Sequence, residues 1–179
     1  MGGKIAAGEY TNTHKHEESD VNINWTIAGD TIYFGVESKT NGWTGLSFNP
    51  SGDKRAGAHM IMWCLEANKL SIHDMYVTHR AGAPTPVERG GGKSGILASA
   101  DTQVVEFSYK LAANNAKSDV TLLQGKEGAI LLAQGDSPSL AKQHRRNRRW
   151  LFKVNLRQPR MALCAQPTAG LAPPILGRR

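Results

Sequence analysis

The chain has 179 residues, of which 40% are hydrophobic and 21% charged, with 19 Gly and two Cys. That length suits one domain with some trailing sequence, and it buries a core without disulfide or metal staples. The net charge of +7 is uneven: residues 142–179 hold ten Lys or Arg and no acid, whereas residues 1–141 carry twelve bases against fifteen acids, or −3.

Residues 1–19 read as an irregular leader. It has no apolar stretch of signal-peptide length, and nothing in the chain approaches a membrane span. His14 and His16, in "THKHEE", sit at alternate positions that could hold a metal weakly; a solvated leader is the simpler reading. The body reads as strands. Val21, Ile23, Trp25 and Ile27 share one face of the first run. Ile32, Phe34 and Val36 share one face of the second, and "AGD" at 28–30 turns between them, so the pair makes a β-hairpin. In "GWTGLSFNPSGD", Gly42 and Gly45 suggest close backbone approach or a bulge.

"AHMIMWCLEANKLSIHDMYV" supplies two further runs around "EANK", another hairpin. In it Met60, Met62 and Cys64 read as core residues, and His59 as an edge or pocket residue. Residues 78–95 hold Gly and Pro throughout, without periodicity, and read as a long loop. "QVVEFSYKL" alternates, with Val105, Phe107 and Tyr109 opposite Val104, Glu106 and Ser108. A polar connection and the short apolar run "AILLAQG" follow. "WLFKVNL" sets Trp150, Phe152, Val154 and Leu156 against Leu151, Lys153 and Asn155. Past Arg157 there is no pattern, and residues 158–179 read as a disordered basic tail. Eight or nine amphipathic strands with hardly any helical period predict an all-β, antiparallel β-sandwich over residues 20–157.

Common catalytic motifs (GxSxG, HExxH, a P-loop) are absent, and carboxylates are scattered singly. Cys64 reads as a buried thiol and Cys164 as a free tail thiol. The histidines carry more chemistry. His144, in "KQHRRNRRW", is surrounded by cations that lower its pKa and favour the neutral imidazole that haem iron requires. His59 and Met60 point to opposite faces of a regular strand, so both cannot reach one iron. His73 and His79 are weaker candidates. The basic run itself reads as a solvated strand edge. Nucleic acid is not the expected partner, because no nucleic-acid motif surrounds it.

Five stretches taken in order resemble the DOMON domain family over roughly Asn22 to Leu156. They are "INWTIAGDTIYFGVES", "TNGWTGLSFNPSG", "AGAHMIMW", "DMYVTHRAGAPTP" and "HRRNRRWLFKVNL". The resemblance implies an immunoglobulin-like β-sandwich in an extracellular or membrane-associated protein. It also implies a module that binds haem b and passes electrons to a redox partner protein or a transmembrane cytochrome. The family's haem His falls on His144. Its Met ligand position falls on Arg55, a side chain that offers no lone pair. Met60 or His59 would then stand in as ligand, and Arg145 and Arg149 would pair with haem propionates. The alternative is a haem-free domain that binds a small ligand, a sugar or catechol, or a protein partner through the 78–95 loop and the basic end. Neither reading gives the module catalysis of its own.

Overall fold

A computed structural model of the chain describes residues 5–48, 56–66, 69–79, 84–87, 93–97, 102–112, 122, 127–140 and 148–156, with Glu66 and residues 93–97 described by backbone alone. The hairpin expected from the two alternating runs pairs β2 (Val21–Ala28) with β3 (Thr31–Lys39), in the register Val21–Ser38 to Ala28–Thr31. Its two-residue turn puts Gly29 at φ +61°, a conformation that a Cβ disfavours. Along β2 the apolar residues are buried and the polar ones half-buried, the period-2 signature of a strand with one face on a core.

The leader expected to be irregular is in part a strand. β1 (Asn12–His16) pairs antiparallel with β2, and a short 3-10 turn at Glu17–Ser19 joins them. "NTHKH" holds no apolar residue, so hydropathy alone does not mark it. Backbone pairing and half-buried side chains at alternate positions do.

Two antiparallel sheets result. Five strands run in the order β1-β2-β3-β9-β8, with β8 at Lys93–Leu97 and β9 at Thr102–Lys110. Six run in the order β11-β10-β4-β5-β6-β7, from β4 (Thr44–Phe48), β5 (His59–Glu66), β6 (Lys69–Tyr76), β7 (Thr85–Pro86), β10 (Glu127–Gln134) and β11 (Arg149–Asn155). Among the described residues there are eleven strands, against the eight or nine expected. The 78–95 segment is not a loop throughout, since β7 pairs with β6 and β8 opens at Lys93. Pro86 suits β7, an edge strand whose free side needs no donor.

The inner faces meet in a core of Ile23, Trp25, Phe34 and Phe107 from one sheet and Phe48, Ile61, Trp63 and Leu132 from the other. The strand carrying His59 and Met60 departs from expectation in its phase. Ile61 and Trp63 face the opposite sheet, whereas Met60, Met62 and Cys64 face outward, buried in a second apolar cluster with Trp43, Val77 and Ala133. Cys64 is buried and forms no disulfide among the described residues; Cys164 and the tail lie outside the described residues. Among the described residues no helix is long and apolar enough to cross a membrane.

Candidate functional site on the outer face of the six-stranded sheet

The second apolar cluster is built by register. Arg149, Ala133, Gly45, Met62 and His73 are successive cross-strand partners along one row. Leu151, Leu131, Ser47, Met60 and Met75 form the next. Small residues (Gly45, Ser47, Ala133) lie in the middle of the sheet, flanked by thioethers and a leucine. Outward faces of antiparallel sheets are usually solvated. Here Met60 and Met62 are only 4% and 6% exposed, so this face is covered. Ser47 is fully buried on it, and its Oγ has no hydrogen-bond partner among the described residues.

One end of this face is closed by backbone contact. Trp43 N donates to Ser137 O at 3.1 Å and Gly135 N to Trp43 O at 2.9 Å. A Cβ on Gly135 would stand 2.1 Å from the Trp43 indole nitrogen, and one on Gly42 would stand 1.7 Å from the Gly135 carbonyl oxygen. The close approach expected at Gly42 is therefore present. From that end the chain runs to Leu140, which packs against the second cluster, and it returns at Arg148, whose carbonyl accepts the Gln134 N–H at 3.1 Å. His144 and Arg145 lie between these two anchors and, like Arg55, fall outside the described residues.

The remaining candidates separate. Arg149 is exposed at the end of its row, on the outward face. His79 is exposed, and His73 is half-buried beside Met62. His59 is neither an edge residue nor a neighbour of the Met60 side chain. It is fully buried between the sheets. Its Nε2 stands 3.7 Å from Asp74 Oδ1, and its ring meets Tyr109 edge-to-face at 4.9 Å. The Tyr109 hydroxyl donates to the same Asp74 oxygen at 2.5 Å. This interior polar group was not anticipated from sequence. The available signal was phase: His59 is in step with Ile61 and Trp63, Asp74 with Ile72, and Tyr109 with Val105 and Phe107. Polar groups at core positions need partners: Tyr109 hydrogen-bonds Asp74, and His59 stands at ion-pair distance from the same carboxylate with no hydrogen bond to its ring nitrogens among the described residues.

Two clefts open at the sheet edges. One of about 460 Å³ is lined by Ile72, His73, Asp74, Pro86 and Val87. The other, about 340 Å³, is lined by Lys39, Thr40, Asn41, Gly42, Asp136 and Arg148. Gln103 braces the second by donating from Nε2 to Thr40 O and Gly42 O at 3.0 and 2.9 Å. Arg148 pairs with Asp136 there at 3.3 Å.

Fitness for haem can be judged on the outward face. The outward face offers an apolar lining and three thioethers as soft donors, but Met62 and Trp43 fill the space over Gly45, so a flat macrocycle would have to displace what covers this face. The interior around His59 does not suit a macrocycle, because that space is filled by Tyr109, Asp74 and Ile61.

Comparison with known proteins agrees with this architecture. Residues 17–135 match the family described as DOMON domain. The cytochrome b domain of pyranose dehydrogenase from Coprinopsis cinerea superposes with a TM-score of 0.58 at 11% identity, covering 79% of this chain and 80% of that one. The cytochrome domain of Myriococcum thermophilum cellobiose dehydrogenase gives 0.58 at 14% identity, covering 81% and 88%. At such identity the likeness is one of fold. MOXD1 homolog 2 of Drosophila melanogaster is 35% identical over 68 residues, which is 38% of this chain and 9% of that protein.

Proposed function

The chain belongs to the DOMON family, and from that premise we propose that it is a haem-b-binding electron-transfer module. The observation that carries the reading is the buried, outward-facing surface where Met60, Met62 and Met75 surround Gly45 and Ser47. Bound there, haem supplies a one-electron carrier. Met60 or a neighbouring thioether would hold the iron together with His144, which lies in sequence between Leu140, packed on this face, and Arg148. Arg149 and Arg145 pair with the propionates, since guanidinium matches carboxylate geometry. The apolar neighbours exclude water. His59 belongs to the interior polar group and is not a ligand in this reading. The electron partner is a redox protein or a transmembrane cytochrome, in an extracytoplasmic setting.

The test is the absorption spectrum of the full chain with added haem, oxidised and reduced, for wild type and His144→Ala. A Soret band that shifts on reduction and collapses in the variant supports the cytochrome. An unchanged band in His144→Ala removes His144 from the site.

A second reading is favoured by Ser47 and Arg55. A buried hydroxyl with no hydrogen-bond partner among the described residues suits a ligand with a polar group, and Arg55 stands where the family resemblance expects a ligand Met. In that reading the same face holds a small haem-free ligand, and the protein stays colourless and folded with or without His144.

A further inference from the structure

We propose that His14 and His16 form a two-histidine site for a divalent first-row transition-metal ion, at the seam where β1 meets β11. It stands apart from the face assigned to haem and does not depend on that reading. The two residues are i and i+2 on one strand, so their side chains project to the same side. They pair in register with Ile23 and Val21, and therefore face inward at the open edge of the sandwich. β1 is the last strand of the five-stranded sheet and β11 the last of the six-stranded one.

The rings are held in place before any ion arrives. His14 stacks on Phe152 at 4.7 Å with planes 16° apart. His16 stacks on the same ring at 5.0 Å and touches Trp150 at 5.4 Å. The two imidazole centroids lie 6.5 Å apart. Two imidazoles on one ion, each with a metal–nitrogen bond of about 2.0–2.1 Å, place their centroids roughly 5 to 6.5 Å apart depending on the angle at the metal. At 6.5 Å the rings stand at the wide limit of that range, so binding one ion draws them toward each other.

Protonation is also prepared. Ser19 has one hydroxyl proton, and its Oγ is placed to donate it to the His16 carbonyl at 3.3 Å. With Nδ1–H donating across the 2.9 Å contact to Ser19 Oγ, the Nε2 lone pair of His16 is left for a metal, the usual arrangement of a ligating His with a supporting partner.

The nearby acids are engaged elsewhere. Glu17 pairs with Lys15 at 2.6 Å, and Glu18 accepts the Trp150 indole N–H at 2.8 Å. Among the described residues no third His, Cys, Asp or Glu completes a metal cluster. Water fills the remaining positions. Such a donor set takes Cu²⁺ most tightly, ahead of Ni²⁺ and Zn²⁺.

The experiment is calorimetric titration of the full, haem-free chain with Cu²⁺, and separately Zn²⁺, at pH 7.5 and pH 5.5. The expected result is a site of one ion per chain at pH 7.5 that is lost at pH 5.5, where the imidazoles protonate. It is also lost in His14→Gln and His16→Gln, variants that keep polarity and approximate size. Quenching of tryptophan emission by Cu²⁺ should fall in Trp150→Phe, because Trp150 touches His16. Ser19→Ala should weaken binding about 10- to 100-fold, as loss of a supporting partner does. Circular dichroism checks that each variant is folded. No binding at pH 7.5, or binding unchanged in the folded His14→Gln/His16→Gln double variant, overturns the proposal.

Discussion

Asp74, buried beneath the cleft that it helps to line, accepts the Tyr109 hydroxyl. Tyr109→Phe is expected to lower stability by about 1–3 kcal/mol, the usual cost of leaving a buried acceptor short of a donor. Urea unfolding measures it, and a change within error would mean that the hydroxyl is dispensable. His14 makes a pH prediction. Its folded pKa lies below its ordinary value of 6.5, chiefly through burial and then through His16. The unfolded chain therefore binds the proton more readily, so stability falls as pH drops through about 6.5 and levels off below the folded pKa. Among the described residues the groups facing His14 are His16 beside it and the Phe152 ring across the seam. In His14→Phe that part of the loss between pH 7 and pH 5 is expected to disappear from the urea midpoint. A midpoint that falls as steeply as in wild type would contradict the assignment. The three interior polar residues were legible in principle from phase. What sequence could not supply was that His59, Asp74 and Tyr109, on three strands from two sheets, converge on one carboxylate oxygen.

At the scale of elements, alternation located most strands and failed in two instructive ways. In β5, Ile61 and Trp63 form one apolar face and Met60, Met62 and Cys64 another. A strand apolar on both sides does not announce which side meets the opposite sheet. That is settled by pairing with β4, whose Leu46 and Phe48 share the inner face with Ile61. In β1 and β7 the strand is too polar or too short for hydropathy to register, and both are defined by backbone pairing at sheet edges. The turn between Thr40 and Trp43 gives an element-scale prediction. Gly135→Ala places a Cβ 2.1 Å from the Trp43 indole nitrogen, with backbone packed behind it. Relief requires the 135–137 and 40–43 segments to separate, at about 1–3 kcal/mol or more. The thermal midpoint should fall, with a change in tryptophan fluorescence as Trp43 moves. An unshifted midpoint would show that the two segments are not in contact.

At the scale of the molecule, the two faces of the six-stranded sheet have different tasks. The inner face builds the core with the five-stranded sheet. The outer face keeps a second apolar cluster that the core does not need, on a sheet whose last strand follows the basic run containing His144. The sandwich and the family were legible because amphipathic strands and ordered short motifs survive at low identity. The outward Met surface was not, because it exists only through the register of β10, β4, β5 and β6. The most direct test of the account is haem titration of the full chain in two variants that act on opposite sides of β5. One is Met60→Leu/Met62→Leu/Met75→Leu, which keeps side-chain volume and removes the three thioethers described on the outer face. The other is His59→Phe, which alters only the interior. The account predicts that the triple variant loses the wild-type ligation spectrum while His59→Phe, where folded, retains it. Wild type that takes up no haem, or a triple variant that binds it with an unchanged spectrum, would contradict the central claim.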